Sequence, residues 1–111
     1  MPHSFGRDAK QIRVQVGKSF VLALPARATA GYIWRVVQTP AVLALAREEI
    51  SSAPARPGAR ATQELEFRSV KPGSGTLVLE YKRPWEATAA ERMELAVVVE
   101  SSSQHPPPNR A

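Results

Sequence analysis

The amino-acid sequence predicts an all-β domain, built as a sandwich or a small barrel from six or seven short antiparallel strands. Apolar and polar residues alternate in several short segments, which is the pattern of strands with one buried face and one solvated face. These segments recur about every 8 to 12 residues, with turn-forming residues between them. The chain of 111 residues has the length of one compact domain.

The first two strands are predicted to form a hairpin. Apolar residues occupy every second position from Ile12 to Val16 and again from Phe20 to Leu24. Gly17-Lys18 lies between the two segments and suits a tight connection. Pro25 should end the second strand, because proline has no amide hydrogen to donate to a neighbouring strand.

The middle of the chain combines strand and loop signals. The segment from Tyr32 to Val37 is rich in aromatic and β-branched residues, and Trp34 is predicted to lie in the core. The composition of Pro40 to Ile50 favours helix, but its neighbours are strands, so we predict a turn followed by a strand. Residues 51–61 are mainly Ser, Ala, Pro, Arg and Gly, which is typical of a long exposed loop.

The C-terminal part of the domain resumes the alternation at Leu65 and Phe67, and further strands are predicted around residues 77–81 and 93–99. Residues 70–76, with Gly73-Ser74-Gly75, should form a turn and not a phosphate-binding loop, because no helix follows them. A second long loop is predicted over residues 83–91. The sandwich domain should span residues 9–100, with a flexible N-terminus at 1–8 and a disordered tail at 101–111.

The formal net charge of +5 is compatible with a polyanionic partner, but its distribution argues against one. The predicted strands mix both signs, whereas many cationic residues fall in predicted loops: Arg27, Arg56, Arg60, Lys82 and Arg83. This predicts a basic rim at one end of the domain and not a basic face. Proteins that stack nucleic-acid bases place several aromatic residues on a basic surface, and here only Tyr32 and Trp85 qualify. We therefore expect no nucleic-acid partner.

The sequence leaves the cellular compartment open. No apolar run approaches the roughly 18 residues of a membrane span, so no membrane partner is expected. The chain has no cysteine, which excludes disulfides and is compatible with either redox environment. The first residues lack the apolar stretch of a secretory signal, which predicts the cytoplasm if the chain is complete and export if a signal was removed. We expect a monomer, because no pattern indicates an obligate interface.

Residues that could perform catalysis are scarce. The only histidines, His3 and His105, lie in terminal segments, and Asp8 is the only aspartate. A Ser-His pair or a histidine metal site would therefore have to be assembled from the chain ends. Four glutamates take outward positions of predicted strands, which favours solvated faces over an acid-base pair: Glu64, Glu66, Glu80 and Glu94. We expect no enzymatic activity, no catalytic residue, no metal and no cofactor.

Three loop segments carry the residue types of a binding surface: Thr29 to Trp34, Gly58 to Thr62, and Arg83-Pro84-Trp85. Each segment alone has a structural interpretation, since the glycines would allow turns with positive φ and Trp85 would fold back on the core. Long loops on a rigid scaffold are also common binding sites. The segments taken singly leave both interpretations open.

Together, in this order and spacing, these segments resemble the chagasin family of cysteine-peptidase inhibitors over about residues 16–100. Members of that family carry Asn-Pro-Thr-Thr-Gly-aromatic in one loop, Gly-x-Gly-Gly in a later loop, and Arg-Pro-Trp or Arg-Pro-Phe before the last strand. The third motif is present here as Arg83-Pro84-Trp85. The first two depart from the family pattern and keep a glycine and a threonine each, as Arg27-Ala28-Thr29-Ala30-Gly31 and Gly58-Ala59-Arg60-Ala61-Thr62.

The resemblance implies an immunoglobulin-like antiparallel β-sandwich of about seven strands that inhibits papain-like cysteine peptidases reversibly and competitively. Three loops would occlude the active cleft, with the first over the catalytic cysteine. The implied peptidase-binding residues are Thr29, Ala30, Gly31, Tyr32, Gly58, Arg60, Thr62, Arg83, Pro84 and Trp85. Trp85 would be the aromatic anchor, and Arg83 would order its loop or reach an acidic rim. The altered motifs leave open a non-inhibitory protein-binding module that uses the same loops.

Overall fold

The computed structural model describes residues 3–27, 30–51 and 61–101. The predicted tail therefore lies outside the described residues, apart from Ser101. Eight strands occupy the described ranges: β1 (His3–Phe5), β2 (Gln11–Gln15), β3 (Ser19–Ala26), β4 (Ile33–Gln38), β5 (Leu43–Ser51), β6 (Ala61–Ser69), β7 (Gly73–Lys82) and β8 (Glu91–Glu100).

The strands form two sheets of four, in the orders β1-β3-β6-β5 and β2-β8-β7-β4. Most neighbours are antiparallel, while β1 pairs with β3 and β2 pairs with β8 in parallel. The predicted all-β sandwich is confirmed. The prediction of a strand after Pro40 is confirmed as well, since β5 follows the turn at residues 41–42.

The core lies between the two sheets and follows the alternation seen in the sequence. Along β6 every second residue is buried, from Ala61 to Ser69. The rings of Phe20 and Phe67 stack with centroids 5.5 Å apart. Trp34, only 2 % exposed, is a core residue as predicted. Burying these large side chains removes apolar surface from water, which is the main term that stabilises the sandwich.

The predicted hairpin at Gly17-Lys18 is wrong, because β2 and β3 lie in different sheets. The chain instead crosses between the sheets, with Gly17 at a φ of 88°. Ser69 at the end of β6 holds this crossing: its hydroxyl accepts a hydrogen bond from the Lys18 amide at 3.2 Å and lies 2.7 Å from the Gln15 carbonyl oxygen. A tight turn can therefore join two layers as well as two paired strands.

Strand β1 lies in the segment for which a flexible N-terminus was predicted, and no strand was predicted there. It pairs with β3 from His3 opposite Phe20 to Phe5 opposite Leu22. The ring of Phe5 meets that of Phe20 edge-on, with centroids 6.0 Å apart. This apolar contact gives the short strand a tertiary reason to form.

The predicted turn at residues 70–76 is shorter than expected, because Gly73-Ser74-Gly75 belongs to β7. Gly75 pairs with Val97 of β8. A Cβ atom at Gly75 would lie 2.5 Å from the Cβ of Pro40, so the glycine lets the turn before β5 pack directly on β7. Within the described ranges, no helix is long and apolar enough to cross a membrane.

Candidate functional site

Three chain connections leave the sandwich at the same end. They are residues 27–32 between β3 and β4, residues 52–60 between β5 and β6, and residues 83–90 between β7 and β8. The strand pairs at this end fix the strand ends from which the three connections start: Ala26 with Ala61, Ser51 with Thr62, Ile33 with Lys82, and Tyr81 with Glu91. We name residues 27–32 the first loop and residues 83–90 the third loop.

The first loop is closed by its own backbone. The Arg27 carbonyl oxygen accepts hydrogen bonds from the amides of Ala30 and Tyr32, both at 3.0 Å. The Arg27 amide donates to the Tyr81 hydroxyl at 2.8 Å, which ties the loop to β7. Gly31 has a φ of 89°, in the left-handed region that glycine adopts most readily. The loop is therefore fixed at its base before any partner binds.

A stack of three aromatic rings lies at the base of the first and third loops. Tyr81 lies between Tyr32 and Trp34, with ring centroids at 5.4 Å and 4.9 Å. The Trp34 indole nitrogen donates to the Pro25 carbonyl oxygen at 3.0 Å. The stack joins the end of β3, the start of β4 and the end of β7, so the first and third loops share one rigid base.

Gln63 of β6 joins the two sheets beneath this stack. Its side-chain oxygen accepts a hydrogen bond from the Trp34 amide, and its side-chain nitrogen donates to the Trp34 carbonyl oxygen, both at 2.7 Å. Gln63 is only 3 % exposed. Strand β4 is an edge strand of its sheet, so the Gln63 amide supplies the two hydrogen bonds that a further strand would otherwise make.

Arg83 organises the third loop. Its guanidinium carbon lies 4.6 Å from the centre of the Tyr32 ring and 5.6 Å from that of Trp85. The guanidinium also forms an ion pair with Glu86 at 2.9 Å, and the Glu86 amide donates to the Arg83 carbonyl oxygen at 3.0 Å. These contacts hold the loop while the side chain of Trp85 stays 71 % exposed.

The first and third loops touch at Gly31. A Cβ atom at this position would lie 2.9 Å from Cη2 of Trp85 and 3.3 Å from Cγ of Arg83. Glycine is therefore required here both for its backbone conformation and for the close approach of the indole ring. The two loops form one continuous surface with Trp85 at its outer side.

The Arg83–Glu86 pair shifts both groups toward their charged forms. The hydrogen bond from Arg83 lowers the pKa of Glu86, and the hydrogen bond to Glu86 raises the pKa of Arg83. The pKa of Glu86 is lower in the folded protein than in the unfolded chain. The contribution of the pair to the free energy of unfolding is therefore present at neutral pH and is lost as the pH falls through that lowered value. The loop should keep this ion pair across the neutral range.

The structure brings together four of the residues that the sequence analysis assigned to the site: Gly31, Tyr32, Arg83 and Trp85. Ala30 and Pro84 are exposed neighbours of this group. Thr62 is an exposed residue of β6, paired with Pro25 and Ser51. Thr29, Gly58 and Arg60 lie outside the described residues.

Three residues of this region were missing from the predicted site: Gln63, Tyr81 and Glu86. Gln63 has a sequence signal, because it is a polar residue at an inward position of the alternation that continues at Leu65 and Phe67. Glu86 has a weaker one, three residues after Arg83. The contacts of Tyr81 come from the first loop and from β4, so its role depends on the tertiary fold.

The glutamates considered as an acid-base pair take part in ion pairs on the outer faces of the sheets. Arg47 contacts Glu66 at 3.1 Å and Glu64 at 3.5 Å, and Arg92 contacts Glu94 at 2.9 Å and Glu80 at 3.2 Å. Among residues 3–27, 30–51 and 61–101, no group of three or more His, Cys, Asp or Glu side chains could hold a metal ion.

Comparison with known families matches residues 13–99 to the family described as Chagasin family peptidase inhibitor I42. Comparison with curated proteins finds no match. Among solved structures, the chain is similar to the cysteine protease inhibitor EhICP2 from Entamoeba histolytica, with a TM-score of 0.76, 22 % identity, and coverage of 88 % of this chain and 95 % of that chain.

Two further solved structures are similar. Amebosin has a TM-score of 0.70 and 26 % identity, with 92 % of this chain and 100 % of that chain covered. PbICP-C, determined in complex with falcipain-2, has a TM-score of 0.60 and 16 % identity, with 90 % of this chain and 99 % of that chain covered. At 22 % and 16 % identity, the similarities to EhICP2 and PbICP-C establish a shared fold.

Proposed function

Because the chain belongs to the chagasin family of peptidase inhibitors, we propose that it is a reversible, competitive inhibitor of papain-like cysteine peptidases. The first and third loops, together with the connection between β5 and β6, would enter the active cleft and block access of the substrate. The protein would act as a monomer, without catalysis and without a cofactor. Its partner would be the peptidase alone.

The exposed indole of Trp85 is the observation that carries this proposal. An indole that is 71 % exposed offers a large apolar surface that a partner can remove from water. Here Arg83 and Gly31 hold the ring in place, so little side-chain entropy is lost when a partner binds. Such rigid aromatic residues are typical centres of binding energy.

Two of the proteins with similar structures support the choice of partner. EhICP2 is a cysteine protease inhibitor, and PbICP-C was determined in complex with falcipain-2. By the family resemblance, Thr29 and Gly31 would allow the first loop to approach the catalytic cysteine. Arg83, Pro84 and Trp85 would flank the cleft on one side, and the segment from Gly58 to Thr62 would flank it on the other.

Titration of papain and of a cathepsin-L-like peptidase with the full chain tests the proposal. Hydrolysis of a small fluorogenic substrate should fall as the protein is added, substrate should compete with the inhibitor, and activity should return on dilution. Absence of inhibition of several such enzymes at micromolar protein would contradict the proposal. Inhibition that is not relieved by substrate would contradict the competitive mechanism.

A second candidate function is a non-inhibitory binding module that uses the same loops. The observation that favours it is the altered first motif, in which Arg27-Ala28 replaces the Asn-Pro pair of the family, together with Arg60 in the second motif. Proline restricts the backbone, so its loss should leave more freedom in the loop. Binding of another protein that depends on Trp85, without peptidase inhibition, would support this candidate.

Substitution of Gly31 by alanine should weaken inhibition through the position of Trp85. The new Cβ would lie 2.9 Å from Cη2 of the indole, so the ring must move. The positive φ adds a stability cost of about 1 to 2 kcal/mol. We expect a higher inhibition constant and a lower denaturation midpoint, measured by substrate titration and by urea unfolding.

Gly17→Ala is the matched control, because Gly17 has a φ of 88° and no atom within 4 Å of its added Cβ. It lies at the opposite end of the sandwich and should reduce stability without weakening inhibition. Equal effects of the two substitutions on inhibition would show that the contact between Gly31 and Trp85 is not used.

A further inference from the structure

We propose that the peptidase recognised by this protein carries an acidic rim around its active cleft, and that Arg27 and Lys82 attract it. This inference rests on the proposed function and adds the charge of the target. The end of the sandwich from which the three connections leave is called the three-loop end, and several of its charges are already paired within the protein.

The acidic groups of the third loop and of the adjoining start of β8 are neutralised internally. Glu86 pairs with Arg83 at 2.9 Å, and Glu91 pairs with Arg7 at 3.0 Å. Arg83 is consequently occupied by Glu86 and by two aromatic rings, so it orders its loop and is not free to reach outward. The contribution of these four residues to the net charge is zero.

Among the described residues of the first and third loops and of the strand ends that flank them, two cations remain without an ion pair. Arg27 begins the first loop with an exposed side chain, and Lys82 ends β7 next to the third loop with a partly exposed one. Neither side chain forms an ion pair with any other described residue, whereas the backbone of Arg27 closes the first loop and contacts Tyr81. Asp8 and Lys10, in the connection between β1 and β2, carry opposite charges that offset each other.

Arg27 begins the first loop and Lys82 directly precedes the third loop, and these two loops meet at Gly31 beside the exposed Trp85. Charges at the edge of a binding surface act mainly on the rate of association, because they attract a complementary partner before contact is made. An apolar side chain that becomes buried in the complex then determines how slowly the complex dissociates. The surface therefore suits a cleft with an apolar subsite and carboxylates at its rim.

The experiment measures association and dissociation rate constants against a papain-like peptidase whose cleft rim is acidic, at ~0.01 M and ~0.15 M salt, between which the screening length falls from about 30 Å to about 8 Å. The association rate constant of the unmodified protein should fall about tenfold with salt. Combined substitution Arg27→Gln and Lys82→Gln should lower it about three- to tenfold at low salt, with dissociation changed less than about twofold.

Lys71→Gln is the control, because Lys71 is an exposed lysine without an ion pair to the described residues, in the connection from β6 to β7 at the opposite end. This substitution removes one positive charge without altering the three-loop end. A second control uses the peptidase with its rim carboxylates replaced by amides, for which the salt dependence should largely disappear.

The outcomes separate this inference from the proposed function. Inhibition with salt-independent association, or equal effects per charge removed at Lys71 and at the three-loop end, would overturn the inference and leave the inhibitor role intact. Tighter inhibition of a peptidase with a basic rim would also overturn it. If the unmodified protein did not inhibit the peptidase at either salt concentration, the inhibitor role would be overturned, and this inference with it.

Discussion

Replacement of Trp85 by alanine should raise the inhibition constant at least ~30-fold, which corresponds to about 2 kcal/mol of binding free energy. The indole is the largest exposed apolar side chain at the three-loop end, and contacts with Arg83 and Gly31 position it in the free protein. Truncation removes the apolar area that a cleft would bury. The measurement is a substrate titration with a papain-like peptidase, as for the unmodified protein.

The stability of the Trp85→Ala variant should change by no more than about 0.5 kcal/mol, because the side chain is 71 % exposed. Trp85→Phe should keep most of the inhibition, since a rigid aromatic ring remains. Val70→Ala is a matched control: it removes another exposed apolar side chain, 48 % exposed, from the opposite end. Unchanged inhibition by Trp85→Ala would remove the central support for the proposed binding mode.

Replacement of Gln63 by alanine should lower the free energy of unfolding by about 2 to 4 kcal/mol. The substitution leaves the amide and the carbonyl oxygen of Trp34 without their partners at a buried position. Each buried polar group that loses its hydrogen bond costs about 1 to 3 kcal/mol, with the lower values applying where water can enter. Urea unfolding and thermal denaturation would measure the loss.

Gln38→Ala provides the comparison for Gln63→Ala. Gln38 lies on β4, the strand of Trp34, is exposed, and donates one hydrogen bond to the Thr76 carbonyl oxygen at 3.0 Å. Its substitution should cost no more than about 0.5 kcal/mol. If the loss of stability in Gln63→Ala were as small as that in Gln38→Ala, the Gln63 side chain would not be needed to complete the edge of β4.

The sandwich could be predicted from the sequence because the period of two in a strand determines which residues face the core. Residues such as Leu65, Phe67 and Leu95 all lie on the predicted buried faces. The pairing of each strand with its neighbours was harder to predict from the sequence. Gly17 signals a change of direction, but the pairing of β2 with β8 depends on residues far along the chain. The three residues of β1 are too few for an alternation to be recognised.

The candidate site was predicted in part because Arg83-Pro84-Trp85 and Gly31 are local motifs. The contact of Gly31 with Trp85 is a property of the tertiary structure, since the first and third loops are distant in sequence. The interpretation of Arg83 as a residue that orders its loop agrees with its stacking on Tyr32 and its ion pair with Glu86. Charge pairing of this kind cannot be derived from the number of charges alone.

The parallel pairing of β2 with β8 has a consequence for how the protein folds. Residues 11–15 find their partners only in residues 96–100, so one sheet stays incomplete until nearly the whole domain is available. Chains dominated by such distant contacts fold in milliseconds to seconds, because a long loop must close before the contacts form. The β3–β6–β5 sheet can assemble earlier, since its strands all lie between residues 19 and 69. During synthesis, the three-loop end would therefore be completed last, when β8 joins β7 and closes the third loop.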